Sequence, residues 1–82
     1  MRAVVLTEPF LNKLQAVPPN IQRLFLKQLR DLLRDLRHPG LHAKKYDEAR
    51  DIWQARVNGG WRFYFRLEGA LCILETITPH PK

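Results

Sequence analysis

The sequence predicts an α+β domain in which two helices cover one face of an antiparallel sheet. Up to residue 40, apolar residues recur every three or four positions, which is the spacing of amphipathic helices. From Ile52 onward the apolar period falls to two, the spacing of strands with one buried face. Hydrophobic residues make up 45% of the 82 residues, enough to form one core. Residues 1–82 are therefore predicted to be a single domain with one helical layer and one sheet.

An opening strand and a first helix are indicated before residue 20. Residues 2–6 form a short run that is β-branched in its middle and bounded by Thr7, which is typical of a strand. Thr7 is also a favourable helix cap, and Pro9 is tolerated in the first turn of the helix that follows. Pro18-Pro19 is predicted to end this helix.

The second helix has the clearest pattern in the chain. Asn20 is a suitable cap, and Pro39-Gly40 is predicted to end the helix. The two helices are expected to form an antiparallel hairpin, since only a short proline-containing link separates them. The apolar residues of the second helix fall three or four apart: Ile21, Leu24, Phe25, Leu29, Leu32, Leu33 and Leu36.

The second half of the chain predicts a three-stranded antiparallel meander. Asn58-Gly59-Gly60 and Glu68-Gly69 are turn signals that separate alternating segments. The segment before them, which contains Lys44, Lys45 and Tyr46, is expected to be a polar loop. The three predicted strands span residues 52–57, 61–67 and 71–78.

Charge and cysteine content suggest partners and a compartment. Fourteen Lys and Arg against eight Asp and Glu give a net charge of +6, which favours phosphate backbones or acidic proteins as partners. Such a charge also occurs on small proteins without a nucleic-acid partner. The single cysteine, Cys72, rules out an internal disulfide and fits a reducing cytoplasm. No metal cluster and no small-molecule cofactor are indicated by the sequence.

The chain is expected to be cytoplasmic and without a membrane partner. The apolar run at residues 3–6 is too short for the core of a signal peptide. No stretch approaches the roughly 18 apolar residues that a membrane span requires.

The first predicted hairpin brings two arginines face to face. If residues 58–60 are a three-residue loop, Val57 pairs with Trp61, Arg56 lies opposite Arg62, and Gln54 lies opposite Tyr64. Like charges directly opposite each other destabilise a sheet by up to about 1 kcal/mol. An anion between the two guanidinium groups would reverse that sign, and phosphate oxygens match their geometry. The register therefore predicts a phosphate site on the uncovered face.

Other side chains are expected around this site. Pairing about Glu68-Gly69 places Glu75 opposite Arg62, where it is either an ordinary ion pair or a catalytic carboxylate. Tyr64 is a candidate for stacking on a base, or simply a residue that favours strands. Lys44 and Lys45 are within reach of the same anion.

The three histidines differ in their expected roles. His38 and His42 flank the Pro39-Gly40 break and are predicted only to end the second helix. His80 lies between two prolines beyond the last strand. There it is either idle or a carrier of protons beside the phosphate site.

Several segments together resemble the RelE/ParE toxin superfamily. The resemblance extends over essentially the whole chain, and it depends on the combination because no single motif is specific. The segments that carry it are Lys44-Lys45-Tyr46-Asp47-Glu48, Asp51-Ile52-Trp53-Gln54-Ala55-Arg56-Val57, Trp61-Arg62-Phe63-Tyr64-Phe65 and Ile77-Thr78-Pro79-His80-Pro81-Lys82.

The resemblance implies the toxin of a type II toxin–antitoxin system, with a cognate antitoxin as partner. RelE-like members cut messenger RNA without metal, usually in the ribosomal A site, by attack of the RNA's own 2′-hydroxyl. Arg62, Arg56 and His80 then match the catalytic residues, and Arg62 matches the arginine that stabilises the scissile phosphate. The residues implied to contact RNA are Lys44, Lys45, Tyr64 and Arg66, and the candidate acids or bases are Glu48 and Glu75.

Two other functions remain compatible with the sequence. A ParE-like protein binds DNA gyrase without catalysis, and a basic adaptor without toxicity is a third possibility, since fold does not decide function. Arg56 facing Arg62, together with His80, favours the nuclease. The antitoxin is expected either along the helical hairpin or over the basic sheet face.

Overall fold

A five-stranded sheet is the frame of the molecule in the computed structural model, which describes residues 2–80. The strand order is β1-β5-β4-β3-β2. The edge strand β1 runs parallel to β5, and the other neighbours are antiparallel. The predicted α+β fold, with an opening strand, a helix pair and then the remaining strands, is confirmed. The strands are β1 (Ala3–Leu6), β2 (Lys44–Asp47), β3 (Ile52–Asn58), β4 (Trp61–Glu68) and β5 (Leu71–Pro79).

The first helix, α1 (Glu8–Ala16), begins as the sequence predicts. The backbone N–H of Phe10 donates to Oγ1 of Thr7 at 3.3 Å, so the threonine caps the helix. Pro9 lies in the first turn, where its missing N–H costs nothing.

No helix of the described residues is both long and apolar enough to cross a membrane.

The second helix, α2 (Pro19–Arg34), differs from the prediction at both ends. It begins at Pro19, because the fixed φ of proline suits the first helical position as well as it ends the preceding helix. It ends at Arg34, before the predicted stop, because Asp35 adopts an extended conformation with φ −156° and ψ 108°. A short 3₁₀ turn, Pro39–Leu41, then leads to β2.

The core lies between the helices and one face of the sheet, as predicted. Phe25 of α2 contacts Phe10 of α1 with ring centroids 5.5 Å apart, and Phe63 of β4 edge-on at 5.1 Å. All three phenylalanines are fully buried. Truncating an aromatic residue in such a core would cost about 3–5 kcal/mol, so this cluster fixes how the helices sit on the sheet.

The β3–β4 hairpin confirms the pairing of the two arginines. Arg56 lies opposite Arg62, with Ala55 opposite Phe63 and Gln54 opposite Tyr64. The predicted pair at the end of the hairpin is wrong, since Trp61 pairs with Asn58 and not with Val57. The shift in register between residues 56 and 58 leaves Val57 as an extra residue, which is a β-bulge.

The predicted β4–β5 register is wrong, and Glu75 does not lie opposite Arg62. Glu68 pairs with Leu71, so the turn residues are 69–70, and Gly69 adopts the positive φ of +58° that this position demands. A register shift at Glu75 then displaces the strand by one further residue. Arg62 consequently pairs with Thr78.

The segment predicted to be a polar loop before the meander is the edge strand β2. Lys44 pairs with Gln54 and Lys45 with Trp53 of β3. Because successive side chains on a strand point to opposite faces, Lys44 lies on the outer face of the sheet and Lys45 on the helix-covered face. Charged side chains on an edge strand also discourage pairing with other chains.

Candidate functional site

A cleft of about 400 Å³ lies on the outer face of the sheet, beside the β3–β4 turn. We refer to it as the cation cleft. It brings together Lys44, Arg56, Arg62 and His80, which the sequence predicts as site residues, and it adds His42, which was predicted only to end α2. The residues that line it are His42, Ala43, Lys44, Gln54, Ala55, Arg56, Arg62 and His80.

The guanidinium group of Arg62 is fixed by carbonyl oxygens at the hairpin end. Its Nη1 donates to the carbonyl oxygen of Asn58 at 2.6 Å and to that of Trp61 at 3.0 Å. The other two nitrogens, Nε and Nη2, have no hydrogen-bond partner among residues 2–80. Arg62 can therefore present a preorganised fork of N–H donors to an anion.

Arg56 brings a second guanidinium group to the same turn. A β-carbon built on Gly59 would lie 3.7 Å from Nη2 of Arg56, so this group lies close to the turn backbone. Within residues 2–80, the ion pairs leave Lys44, Arg56 and Arg62 without a carboxylate partner. The cleft therefore concentrates uncompensated positive charge, which favours a phosphate.

Both histidines of the cleft are exposed and lie on different segments. The backbone N–H of His80 donates to the carbonyl oxygen of Gly60 at 2.8 Å, which fastens the end of the last strand to the β3–β4 turn. His42 follows the 3₁₀ turn with a left-handed φ of 47°. The local sequence does not predict this left-handed conformation. For that reason His42 was not predicted to be a cleft residue.

Gln28 connects the helical layer to Arg56 of the cleft and to the 3₁₀ turn that precedes His42. Its side chain is 7% exposed, and its Nε2 donates to the carbonyl oxygens of Gly40 at 3.0 Å and Arg56 at 2.9 Å. A buried amide with both hydrogens used in this way fixes the 3₁₀ turn, and so His42 after it, relative to β3. The sequence pattern did not predict a role for Gln28, because this residue lies among the leucines of α2.

Replacing Gln28 with leucine is expected to lower the free energy of unfolding by about 1–3 kcal/mol, since two carbonyl oxygens lose their donor. Urea denaturation followed by circular dichroism measures the change. Gln15→Leu is the matched control, because Gln15 is exposed on α1 and makes no side-chain hydrogen bond within the described residues. Equal stability of the Gln28 and Gln15 variants would contradict the structural role of Gln28.

Lys45 and Glu48 lie outside the cleft. The Nζ of Lys45 forms an ion pair with Asp51, lies 3.9 Å from Glu48 Oε2, and lies 5.2 Å from the centroid of the Trp53 ring. The hydrogen bond to Asp51 is the main cause that raises the pKa of the lysine above its usual value. The side chain of Glu48 is 85% exposed.

Arg66 and Glu75 are engaged with each other. Arg66 is ion-paired with both Glu75 and Glu68, and the bond to Glu75 is the main cause that raises the pKa of the guanidinium group. Neither Arg66 nor Glu75 lines the cation cleft. Their opposite charges already compensate each other at the other end of β4.

A second recess of about 410 Å³ adjoins the cleft on the same face, and we call it the tyrosine groove. Tyr64 lines it, and the hydroxyl of Tyr64 accepts a hydrogen bond of 2.9 Å from Nε2 of Gln54. Gln54 lines the cation cleft, so this hydrogen bond joins a residue of the cleft to a residue of the groove. The groove is lined by Tyr46, Arg50, Ile52, Tyr64, Glu75, Thr76 and Thr78.

The side chains of the cation cleft are of the types that bind anions and exchange protons. Two guanidinium groups and an ammonium group can hold a phosphate, and imidazole side chains can accept or donate protons. Among residues 2–80, no group of three or more His, Cys, Asp or Glu side chains is placed to hold a metal ion.

Three solved toxin structures are similar to this chain over nearly all of their length. The YoeB/ParE toxin from Agrobacterium tumefaciens has a TM-score of 0.77 at 14% identity, covering 96% of this chain and 99% of its own. The toxin–antitoxin complex RelBE2 from Mycobacterium tuberculosis has a TM-score of 0.78 at 21% identity, with 96% and 98% covered. The archaeal RelE–RelB complex from Pyrococcus horikoshii OT3 has a TM-score of 0.72 at 21% identity, with 95% and 93% covered.

These similarities confirm, at the level of fold, the predicted resemblance to RelE/ParE toxins. No protein-family model and no curated protein matches the sequence.

Proposed function

We propose that this chain is the toxin of a type II toxin–antitoxin pair and that its cation cleft cleaves messenger RNA. The observation that carries the proposal is the cleft itself, where Lys44, Arg56 and Arg62 lie beside two imidazoles. The toxin role is supported by the fold, since two of the similar structures are toxins in complex with an antitoxin. The site of action would be the cytoplasm, where messenger RNA is translated.

The proposed reaction uses the RNA as its own nucleophile. The 2′-oxygen attacks the adjacent phosphorus while the bond from phosphorus to the 5′-oxygen breaks, which leaves a 2′,3′-cyclic phosphate and a 5′-hydroxyl. One proton leaves the 2′-hydroxyl, and one proton is delivered to the departing 5′-oxygen. The protein must therefore supply a base, an acid and positive charge near the phosphorane.

The cations of the cleft stabilise the phosphorane in this proposal. Arg62 offers Nε and Nη2 from a guanidinium group that is already oriented by the turn carbonyls. Arg56 supplies a second fork and Lys44 a single positive charge. Donors that are fixed before the reaction stabilise the phosphorane most effectively, because they need no reorganisation as charge develops on its oxygens.

The two imidazoles provide both proton transfers. A neutral imidazole accepts a proton and an imidazolium donates one, so His42 and His80 form an acid–base pair across the same cleft. Glu48 and Glu75, the carboxylates that the sequence offers as candidate bases, lie outside the cleft. The base is therefore assigned to an imidazole in this proposal.

The product ends test the proposal directly. Purified protein is incubated with a radiolabelled messenger, with and without ribosomes, and the fragments are expected to carry a 2′,3′-cyclic phosphate and a 5′-hydroxyl. A single 2′-deoxy substitution at the cleavage position is the matched control, and it is expected to abolish the cut because it removes the nucleophile. Intact messenger together with inhibited DNA gyrase supercoiling would contradict the proposal and favour a gyrase inhibitor.

A further inference from the structure

The tyrosine groove beside the cation cleft has no role in the proposed chemistry. We propose that it is a nucleobase pocket, which holds the base of the nucleotide next to the scissile phosphate by stacking on Tyr46. The inference rests on the proposed function, because it places the groove on the path of the same RNA strand.

An exposed aromatic ring is available in the groove. Tyr46 is 59% exposed, and its ring stands edge-to-face with Tyr64 at a centroid distance of 4.9 Å and an angle of 69°. The hydrogen bond from Gln54 fixes the hydroxyl of Tyr64, so Tyr46 packs against a ring of defined orientation. Aromatic faces presented beside positive charge are how proteins bind unpaired bases.

The groove and the cleft are adjacent subsites on one sheet face. Arg62 pairs with Thr78 and Tyr64 pairs with Thr76, and both threonines line the groove. Thr78 therefore brings the groove to the position of Arg62, and Tyr64 and Thr76 lie one side-chain position further along the strands, about 6.8 Å away. A strand with its phosphate at Arg62 therefore carries a neighbouring base to the groove.

The charges at the rim of the groove favour an uncharged occupant. Arg50 is ion-paired with Asp47 at 3.1 Å, and Glu75 is ion-paired with Arg66. Lys44, Arg56 and Arg62, which have no carboxylate partner among residues 2–80, line the cleft and not the groove, so a phosphate gains more in the cleft, whereas a base gains the stacking surface of the groove.

One hydroxyl is suited to contact the edge of a base. The Nζ of Lys13 donates to Oγ1 of Thr76 at 2.8 Å. The hydroxyl hydrogen of Thr76 has no acceptor among residues 2–80, and it remains free to donate to a ring nitrogen or a carbonyl oxygen.

The test measures binding of a short, fully 2′-O-methylated RNA, which cannot be cleaved, by fluorescence anisotropy at fixed salt. Tyr46→Ala is expected to weaken binding about 10-fold, the typical value of one stacked base. Tyr46→Phe keeps the ring and is expected to bind like the unmodified chain. Tyr46→Leu keeps apolar bulk without an aromatic face and is expected to bind as weakly as Tyr46→Ala.

A second experiment removes a base from the RNA and leaves the Tyr46 ring in place. One abasic position next to the central phosphate is expected to weaken binding by the unmodified chain to the same extent, and then Tyr46→Ala has no further effect. Additive losses from the abasic site and Tyr46→Ala at every position would overturn the nucleobase pocket, as would no binding of the RNA at all. Arg23→Ala, on the exposed surface of α2, controls for the loss of a side chain far from the groove.

The two proposals can fail separately. If Arg62→Ala weakens binding and RNA is cleaved while Tyr46→Ala binds normally, the proposed function stands and the nucleobase pocket is overturned. If the coupling between Tyr46 and the base is found without any RNA cleavage, the pocket stands and the nuclease function is lost.

Discussion

Arg62→Ala is expected to slow RNA cleavage by about 10²- to 10³-fold, the usual cost of removing one preorganised donor from a developing oxyanion. The loss is large because the turn carbonyls of Asn58 and Trp61 hold the guanidinium group before substrate arrives. Among residues 2–80, no other side chain donates a hydrogen bond to the carbonyl oxygens of this turn. The single-turnover rate on a ribosome-bound messenger, at saturating protein, is the measurement.

Two further variants separate the phosphate role from a loss of net charge. Arg62→Lys keeps the charge but not the planar fork, so its rate is expected to fall between those of Arg62→Ala and the unmodified chain. Arg23→Ala removes the same charge from the exposed surface of α2, and its rate is expected to match the unmodified chain. Equal losses from Arg62→Ala and Arg23→Ala would show that only overall charge matters, contrary to the proposed role of Arg62.

His80→Gln is expected to slow cleavage by about 10²- to 10⁴-fold, the range for losing general acid–base catalysis. Glutamine keeps a similar size and the ability to form hydrogen bonds, but it cannot exchange a proton at neutral pH. The backbone bond from His80 to Gly60 does not depend on the side chain, so the fold of this end is retained. Binding of the 2′-O-methylated RNA is therefore expected to remain unchanged while the cleavage rate falls.

The matched variant His42→Gln is expected to show which imidazole acts as the general acid and which as the general base. RNA in which sulfur replaces the departing 5′-oxygen needs no acid, because a thiolate leaves readily. The variant that regains cleavage on this substrate has lost the acid, and the one that stays slow has lost the base. If His80→Gln cleaves normally on both substrates, His80 has no catalytic role.

The facing arginines could be predicted because the signals that place them are local. Asn58-Gly59-Gly60 gives the turn, and the alternation on both sides of it fixes which residues face outward. The bulge at Val57 changed only the last pair of the hairpin, so Arg56 and Arg62 were placed correctly.

The β4–β5 register could not be predicted from comparable signals. Gly69 fits either of two turn positions, and each gives a different pairing. The register shift at Glu75 is not marked by a glycine in the sequence. Alternation alone is satisfied before and after it, since Leu74 and Ile77 are both buried. The error moved Glu75 to a place opposite Arg62 that Thr78 occupies.

The remaining site residues depend on contacts between distant segments. The strand β2 forms because β3 offers a free edge, and Lys44 reaches the cleft only through its pairing with Gln54. His42 is brought to the cleft by the 3₁₀ turn, which Gln28 holds from α2. Spacing within one segment carries no information about such contacts, so Tyr46 also had no predicted role.

The attachment of Arg62 and His80 to the β3–β4 turn has a consequence for motion. Arg62 is bonded to the carbonyl oxygens of Asn58 and Trp61, and the backbone of His80 is bonded to that of Gly60. Fluctuations of the hairpin end are therefore expected to displace the guanidinium group of Arg62 and the backbone of His80 together. A reaction that needs a cation and a proton carrier at one phosphate depends on the separation between the two, which a shared attachment to the hairpin helps to keep while the rest of the sheet moves.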